Sequence, residues 1–326
     1  MLEDSENGDE SAGGGDESAG GDEIVRCVIP GVAVRIVAAL TTDTAREAAR
    51  RHGARQAGAI ALGRGLTAGL LLATLTKDEE RVTLQVLGDG PLGGVTVDAH
   101  GDGSVRAYVR HPGAGSIAAG GDGPTARPAL AAAIGRVGIV SVVRDVGLRD
   151  NFSGTTQIRS GEIDEDVERY LTESEQVESA LACDAIAGID GAVTASAGVL
   201  VQALPGSDGE IDVDLARGMF GDGALARVVA GGLPASGEEL IAAVFRGRLG
   251  AIRVLDRRPL RFFCPCSRER AGASLAMLGD ADLSAMILDE GKAEVTCDFC
   301  RARYEFDDKD LERIRRRSAG AGGPPS

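Results

Sequence analysis

The sequence of 326 residues lacks an export signal of the ordinary kind. Before Ile24 there is neither a basic region nor an apolar stretch, and a secretory signal peptide needs both. We therefore expect a cytoplasmic protein. In that reducing compartment, closely spaced cysteines usually serve metal binding or redox chemistry rather than a structural disulfide framework.

Long hydrophobic runs are also missing. The most apolar stretch, residues 59–75, is interrupted by Arg64 and three glycines, whereas a membrane-spanning helix needs about 20 consecutive apolar residues. The stretch continues a helical pattern, so it predicts a buried core helix. No membrane partner is expected.

Sequence motifs for common catalytic sites are absent as well. Neither a Walker-type loop nor a G-x-S-x-G elbow occurs, and the three histidines (His52, His100 and His111) have no matched nucleophile nearby in sequence. Residues 88–93 match G-x-G-x-x-G, but Pro91 lies within the loop and a strand follows it. A dinucleotide site needs a helix there. We interpret the motif as a hairpin turn, nominate no catalytic residue and expect no enzymatic activity.

Tryptophan is absent and aromatic residues reach only 3%, yet 43% of the residues are apolar, which suits a globular protein. The length allows two domains and a sizeable core. The formal charge is −15, and residues 1–23 supply −9 of it without any Lys or Arg. That Gly-, Ser- and acid-rich segment cannot bury apolar surface, so it is predicted to be a disordered tail. Residues 318–326, rich in Gly and Pro, are expected to be disordered too.

The apolar pattern of the central region predicts an α+β fold. Strands are predicted over residues 24–40, 81–87, 94–99, 105–109, 138–144, 152–158 and 194–204. Helical spacing predicts helices over residues 45–75 and 164–186. Runs of strands with helices set between them indicate an α+β core domain over residues 24–206, with antiparallel strands joined by Gly-Asp-Gly turns.

Residues 207–258 differ from this core domain. Glycines and Pro234 interrupt the first part, and a helix is predicted only over residues 238–245, where Ser236-Gly237 precedes it. Short helices of this kind stay ordered only when they pack on something else. We interpret the segment as a metastable helical linker.

Four cysteines near the C-terminus are the most informative feature of the chain. Cys264-Pro-Cys266 is followed, after 30 residues, by Cys297-Asp-Phe-Cys300. Two closely spaced pairs are typical of a tetrahedral thiolate site for zinc. We predict that Cys264, Cys266, Cys297 and Cys300 bind one Zn²⁺ per chain in a small domain over residues 259–317.

Other interpretations of these cysteines stay open on spacing alone. A purely structural zinc ribbon is one, and a thiol–disulfide oxidoreductase using Cys297 and Cys300 is another. A zinc ribbon that binds nucleic acid is the third, but residues 258–317 hold twelve basic and twelve acidic residues, whereas phosphate binding favours a basic face. Cys27 and Cys183 stand apart from the cluster, and the apolar surroundings of Cys183 predict a buried, inert thiol.

The residues around the cysteine pairs resemble a known family. The matching residues are 263–270 (FCPCSRER), 297–300 (CDFC), 304–306 (YEF), 82–92 (VTLQVLGDGPL) and 173–176 (ESEQ). The first three resemble the zinc module of the 33-kDa heat-shock-protein family, the redox-regulated chaperones, and the other two are similar to its core domain. The resemblance covers roughly residues 24–312, and the acidic tail departs from the family.

This resemblance implies an ATP-independent holdase that binds unfolded or oxidatively damaged client proteins. We expect oxidative stress and heat to activate it, and from the balanced charge we expect no nucleic-acid partner. Position by position, the four cysteines match the zinc ligands and redox-active cysteines of the family. It implies a reduced, zinc-bound, inactive monomer, and an oxidised form that has disulfides, releases zinc, unfolds its linker and tends to form a homodimer. We predict pairing of Cys264 with Cys266 and of Cys297 with Cys300, one of three possible connectivities.

Energetic reasoning agrees with control of the C-terminal domain by its metal. A unit of about 50 residues is marginal by itself, with a stability of roughly 3–8 kcal/mol, whereas structural zinc contributes about 10–16 kcal/mol. Oxidation of a thiolate removes a ligand, so we expect metal loss to unfold the domain. The unfolding is expected to spread to residues 209–256 and to uncover the apolar side chains between Leu240 and Leu249.

Overall fold

The structure is a computed structural model that describes residues 21–76, 80–117, 127–147, 151–204 and 210–321. Its N-terminal part contains β1 (Glu23–Val28), β2 (Val34–Leu40), α1 (Thr42–His52), α2 (Ala57–Ala73), β3 (Arg81–Gly88), β4 (Val95–His100), β5 (Ser104–Val109), α3 (Ala131–Ile134), β6 (Gly138–Asp145), β7 (Phe152–Gln157), α4 (Ile163–Glu173), β8 (Ser179–Ala187) and β9 (Val193–Ala203). The next segment contains α5 (Glu210–Gly221), α6 (Ala224–Gly231), α7 (Gly237–Phe245) and β10 (Arg253–Pro259). The C-terminal part contains β11 (Arg261–Phe262), α8 (Arg268–Leu275), α9 (Asp280–Asp289), β12 (Lys292–Thr296), β13 (Arg303–Asp307) and α10 (Asp308–Ala321).

Two large sheets enclose the central helix. One has the strand order β10-β1-β2-β9-β8 and is antiparallel throughout. The other has the order β11-β5-β4-β3-β6-β7 and is antiparallel except for the β11–β5 pair, which is parallel. Helix α2 contacts β4 and β5 on one side and β8 and β9 on the other, and all of its residues are buried. The predicted α+β fold and the buried core helix are confirmed.

Glycines in α2 allow this close packing between two sheets. A Cβ atom on Gly65 would lie 2.8 Å from a methyl group of Val95 in β4, and one on Gly63 would lie 2.7 Å from the Cβ of Ala185 in β8. Side chains at these positions would push the sheets apart, since protein interiors leave no room for extra atoms. The glycines are therefore part of the core packing.

Most of the predicted strands are confirmed, with bounds that differ by one or two residues. The G-x-G-x-x-G segment connects antiparallel β3 and β4, which confirms its interpretation as a hairpin turn. The Asp89 carboxylate accepts hydrogen bonds from the backbone N–H groups of Arg136 and Val137, so the turn is tied to the connection between α3 and β6.

Three predicted elements are wrong in extent. Residues 24–40 form the hairpin of β1 and β2 rather than one strand, and β1 already begins at Glu23. The helix predicted over residues 45–75 is two helices, because α1 ends at His52, where the left-handed Gly53, with a φ of 59°, terminates it. The helix predicted over residues 164–186 ends at Glu173, and the Ala-rich remainder becomes β8, which pairs with β9 over its whole length.

The segment predicted as a helical linker covers one face of the β10-β1-β2-β9-β8 sheet. Helices α5, α6 and α7 pack on this face in a single apolar cluster. The segment is therefore more helical than its glycine content predicts. Ser236 caps α7, since its side chain accepts a hydrogen bond from the Glu239 backbone N–H. Residues 253–258 do not extend the helical region, because they form an edge strand beside β1.

The ends of the chain are described only in part. Helix α10 continues to Ala321, four residues into the segment that was expected to be disordered from Ser318. Residues 1–20, which contain most of the predicted acidic tail, and residues 322–326 lie outside the described residues.

Candidate metal centre

Four cysteines meet in the C-terminal part of the protein. Their sulfur atoms all lie within 4.8 Å of one another, with Cys264 Sγ 3.7 Å from Cys297 Sγ and Cys266 Sγ 3.1 Å from Cys300 Sγ. A tetrahedral Zn²⁺ ion with Zn–S bonds of about 2.3 Å separates its sulfurs by about 3.8 Å. The four thiols therefore fit a tetrahedral metal ion, and the structure brings together all four cysteines that the sequence nominates.

The first pair lies between a short strand and a helix. Cys264 and Cys266 follow β11, and Ser267 then caps α8 by accepting a hydrogen bond from the Arg270 backbone N–H at 3.3 Å. Capping ends the extended segment immediately after the second cysteine. Both sulfurs are thereby held at the entry to the helix.

The second pair lies in the tight turn between β12 and β13. The backbone N–H of Cys297 donates to the carbonyl of Ala302, and the N–H of Arg301 donates to the carbonyl of Cys297, both at 2.9 Å. Arg301 has a left-handed φ of 61°, which lets the backbone curl around the sulfurs. This turn places Cys297 and Cys300 on the same side of the hairpin.

The apolar core that supports the cysteines is small. Its buried members are Ala271, Leu275, Leu283, Ala293, Phe306 and Leu311. Several neighbouring apolar side chains remain exposed, such as Met277 and Leu288, which are 82% and 84% exposed. A core of this size gives little stability by itself, so a metal ion would add a large share of the folding free energy.

Hydrogen bonding and burial make the Cys266 and Cys300 sulfurs unequal. Burial by itself raises the pKa of Cys266, but the Tyr304 hydroxyl, 3.1 Å from its sulfur, and the neighbouring cysteines lower that pKa to about 7. Burial raises the pKa of Cys300 well above its ordinary value. Cys266 thus ionises near neutral pH more readily than Cys300, and thiolates are both the metal ligands and the nucleophiles.

The turn that carries the second pair docks onto the core domain through Phe299. The Phe299 ring meets the Tyr108 ring edge to face, with centroids 5.0 Å apart and planes at 88°. The Arg106 guanidinium lies 4.0 Å from the centroid of the same ring, a cation–π arrangement. His52 Nε2 lies 2.9 Å from the Phe299 carbonyl oxygen, so three side chains of the core domain hold one residue of the metal-binding turn.

The same arginine also reaches the cysteine cluster. Arg106 Nη1 donates to Cys264 Sγ over 3.5 Å, while its Nε and Nη2 donate to the Asp98 carboxylate. Sequence reasoning missed Arg106, Asp98 and the contact of His52, because these residues are up to 247 positions away from their partners and no local motif marks them. The sequence marks Tyr304 only as part of the family-like stretch 304–306, without indicating its contact with a cysteine.

The two remaining cysteines lie elsewhere. Cys27 and Cys183 are free thiols with no exposed surface, in the strands β1 and β8. Burial raises the pKa of Cys27 to about 11 and that of Cys183 well above its ordinary value. Neither thiol ionises near neutral pH, which agrees with the inert character predicted for Cys183.

Helix length and composition give no single membrane-spanning candidate among the described residues. Helices α8 and α9 reach the required length and hydropathy only as a pair, and the pair is bent by 110°.

The fold and the cysteine cluster place this chain in a class of α+β proteins with a four-cysteine site, suited to a metal ion, at the C-terminal end. Comparisons with known proteins identify the family. The family model described as Hsp33 protein matches residues 22–307. The chain belongs to this family of chaperones, which confirms the resemblance drawn from the sequence.

Curated relatives agree along nearly the whole chain. The chain is 36% identical over 296 residues to the 33 kDa chaperonin of Desulforamulus reducens, covering 91% of this chain and 98% of that protein. It is 37% identical to the 33 kDa chaperonin of Geobacter sulfurreducens, covering 90% and 95%, and 34% identical to that of Bacillus subtilis, covering 90% and 98%.

A solved structure has the same fold. The crystal structure of the 33 kDa chaperonin from Thermotoga maritima superposes with a TM-score of 0.73 at 27% identity, covering 92% of this chain and 99% of that chain.

Proposed function

We propose that this chain is a cytoplasmic, redox-regulated, ATP-independent holdase that binds unfolding and oxidatively damaged proteins and prevents their aggregation. In this proposal, Cys264, Cys266, Cys297 and Cys300 hold one Zn²⁺ ion in a reduced, inactive monomer. The single observation that carries the proposal is the convergence of the four sulfurs within 4.8 Å in a protein of a chaperone family.

The metal supplies cross-linking and charge neutralisation when it is bound, and the chain's own thiolates make the site sensitive to oxidants. Two thiolates and one hydrogen peroxide molecule, with two protons, give one disulfide and two water molecules. Four thiolates therefore consume two peroxide molecules and leave no thiolate to bind the ion. Because the module has only a small apolar core, loss of the cross-link is expected to unfold it.

The proposed disulfides join Cys264 to Cys266 and Cys297 to Cys300. In the reduced arrangement, two sulfur contacts, of 3.7 and 3.1 Å, run between the two pairs, and all four sulfurs lie within 4.8 Å of one another. Each sulfur is therefore also near its neighbour in sequence. The shorter loop closes at the lower entropic cost, which favours pairing of neighbours in sequence once an oxidised sulfur leaves the metal.

Detachment of the linker from the sheet would expose the apolar surface that we propose for client binding. Five buried side chains, Leu240, Ile241, Val244, Phe245 and Leu249, belong to the apolar cluster between the linker and the sheet. Each fully buried side chain of this kind contributes about 1.5–3 kcal/mol while it stays covered. Uncovering them together with the sheet face below gives a large apolar surface, and such surfaces bind other proteins. Dimerisation of the oxidised form is part of the same proposal.

An aggregation assay with a thermally unfolding protein tests this function. Reduced, zinc-loaded protein and peroxide-treated protein are compared by light scattering while released zinc is followed with a chromogenic chelator. We expect suppression of aggregation only in the treated sample, in step with zinc release. Equal suppression by the reduced, zinc-loaded sample would refute the proposal, and peptide mapping that joins Cys266 to Cys297 would refute the pairing alone.

A further inference from the structure

We propose that the metal centre is completed by the core domain, with Arg106 as a positioning residue that holds the Cys264 thiolate through a hydrogen bond. The inference rests on the proposed function only in assuming that the four cysteines bind a metal ion. It adds that the affinity for this ion depends on a side chain 158 positions away from the cysteine that it contacts.

Strand pairing brings the two residues together. The short strand β11 runs parallel to β5, with Arg261 opposite Ser104 and Phe262 opposite Val105. The backbone N–H of Phe263 continues this ladder by donating to the Val105 carbonyl at 2.9 Å. The chain therefore enters the cysteine pair while it is still hydrogen-bonded to the strand that carries Arg106. The position of Cys264 is fixed by the core sheet as well as by the C-terminal module.

The orientation of the guanidinium is fixed by a carboxylate and by an aromatic ring. The Asp98 carboxylate, which is 4% exposed, accepts from Arg106 Nε at 3.1 Å and from Nη2 at 2.7 Å. Asp98 itself accepts a hydrogen bond of 2.6 Å from the Thr83 hydroxyl. The Phe299 ring covers one face of the guanidinium. The remaining guanidinium nitrogen, Nη1, donates a hydrogen bond to Cys264 Sγ.

This placement suits the chemistry of a tetrathiolate site. Four thiolates around one Zn²⁺ ion carry a net charge of −2, so an N–H donor on a ligand sulfur stabilises the loaded state. Hydrogen-bond partners that orient metal ligands typically change metal affinity by about 10- to 100-fold. The planar fork of an arginine can serve a carboxylate and a sulfur at once, which a lysine ammonium cannot do in the same geometry.

The test uses the full-length reduced chain with the substitution Arg106→Gln. Zinc affinity is measured by competition with a chromogenic chelator in the absence of oxidant, and we expect it to fall by about 10- to 100-fold. In the cobalt-substituted protein, loss of the donor raises the electron density on the sulfur. We therefore expect the thiolate-to-cobalt charge-transfer band to move to longer wavelength, which a merely structural role of Arg106 would not cause.

Arg144→Gln is the matched control. Arg144 lies on β6 of the same sheet, three strands away from β5. It forms a similar half-buried ion pair with Glu175. The control is expected to keep the wild-type zinc affinity and cobalt spectrum. The double variant Asp98→Asn/Arg106→Gln removes the donor without leaving a buried carboxylate unpaired, so it carries the test if the single variant does not fold.

The outcomes separate this inference from the proposed function. An unchanged zinc affinity and cobalt band in the Arg106 variants would overturn the inference, as would an equal loss in Arg144→Gln. Wild-type protein would still switch on with peroxide in that case if the proposed function is right. Conversely, if the wild-type protein never suppresses aggregation, the difference in zinc affinity between wild type and variant is still measured and still decides the inference.

Discussion

The hydroxyl of Tyr304 donates a hydrogen bond to the sulfur of Cys266 over 3.1 Å. The two residues are 38 positions apart, and β13 carries the tyrosine to the start of α8, where the cysteine lies. The contact raises the pKa of Tyr304 to about 12, because the hydroxyl must keep its proton to donate this hydrogen bond. Tyr304 therefore acts as a fixed donor across the range in which the thiol ionises, and it singles out one sulfur of the four.

Replacement of Tyr304 by Phe is expected to make Cys266 less reactive. Burial raises the pKa of Cys266, and the tyrosine is the strongest of the contacts that bring it down to about 7. One hydrogen bond of about 1–1.5 kcal/mol corresponds to a rise in pKa of about 1. The measurement is the pH dependence of alkylation of Cys266 in metal-free reduced protein, followed by peptide mass spectrometry. It is made at low temperature, under conditions in which circular dichroism shows that the module still keeps its folded structure.

Tyr108→Phe is the matched control for this substitution. Tyr108 touches Phe299 only by ring contact in the neighbourhood of the cysteines, so loss of its hydroxyl should leave the alkylation profile of Cys266 unchanged. A Tyr304→Phe profile that coincides with wild type would show that the hydrogen bond does not govern the ionisation of this thiol.

A substitution that weakens the packing of the linker on the sheet is expected to activate the protein without oxidation. Phe245 in α7 is 1% exposed and packs against Phe220 with ring centroids 5.8 Å apart. Phe245→Ala removes a large side chain from the interface between the linker and the sheet, at a cost of about 3–5 kcal/mol. We expect the reduced, zinc-bound variant to suppress aggregation without peroxide. Hydrogen exchange over residues 210–249 should increase while zinc stays bound.

Phe152→Ala serves as the control, because Phe152 is 63% exposed on β7, away from the linker. It should leave both hydrogen exchange in the linker and the activity of the reduced protein as in wild type. Faster exchange in Phe245→Ala without any gain in activity would separate linker opening from client binding, and the client surface would then lie elsewhere.

Local patterns were sufficient for much of this architecture. The four metal-ligand candidates, the β3–β4–β5 meander and the cap at Ser236 all follow from residues close together in sequence. Each depends on spacing, alternation or one hydrogen bond within a few residues. Such features could therefore be predicted before the structure.

Features that depend on tertiary pairing could not be predicted in this way. The segment 179–187 is rich in alanine and fits helical spacing, but pairing with β9 makes it a strand, since tertiary context overrides weak propensity. Arg106 and Asp98 look like ordinary surface residues of a β-meander in the sequence. Only the parallel pairing of β11 with β5 brings Cys264 to them.

A buried ion network offers a test of the core domain that does not involve the metal. Arg64 in α2 has no exposed surface. It donates to Asp184 at 2.7 Å and to Glu162 at 2.8 Å, and also to the Pro128 carbonyl. Arg64→Leu leaves two buried carboxylates short of a partner, and such a loss costs about 3–5 kcal/mol. Urea unfolding of the core domain should show this loss at neutral pH.

The loss from Arg64→Leu is expected to depend on pH. Burial raises the pKa of Glu162 even with Arg64 and Arg127 beside it, and removal of Arg64 should raise this pKa further. A carboxyl group whose pKa is higher in the folded than in the unfolded state stabilises the fold at low pH, and this contribution is lost as the pH rises through the folded-state value. The loss of unfolding free energy relative to wild type should therefore be smaller at pH 5 than at pH 8.

Arg81→Leu is the control for this substitution. It breaks a half-exposed ion pair with Asp145, so it should lower the unfolding free energy by less than about 1 kcal/mol. An equal deficit for Arg64→Leu at both pH values would show that the carboxylates find other partners when the arginine is removed.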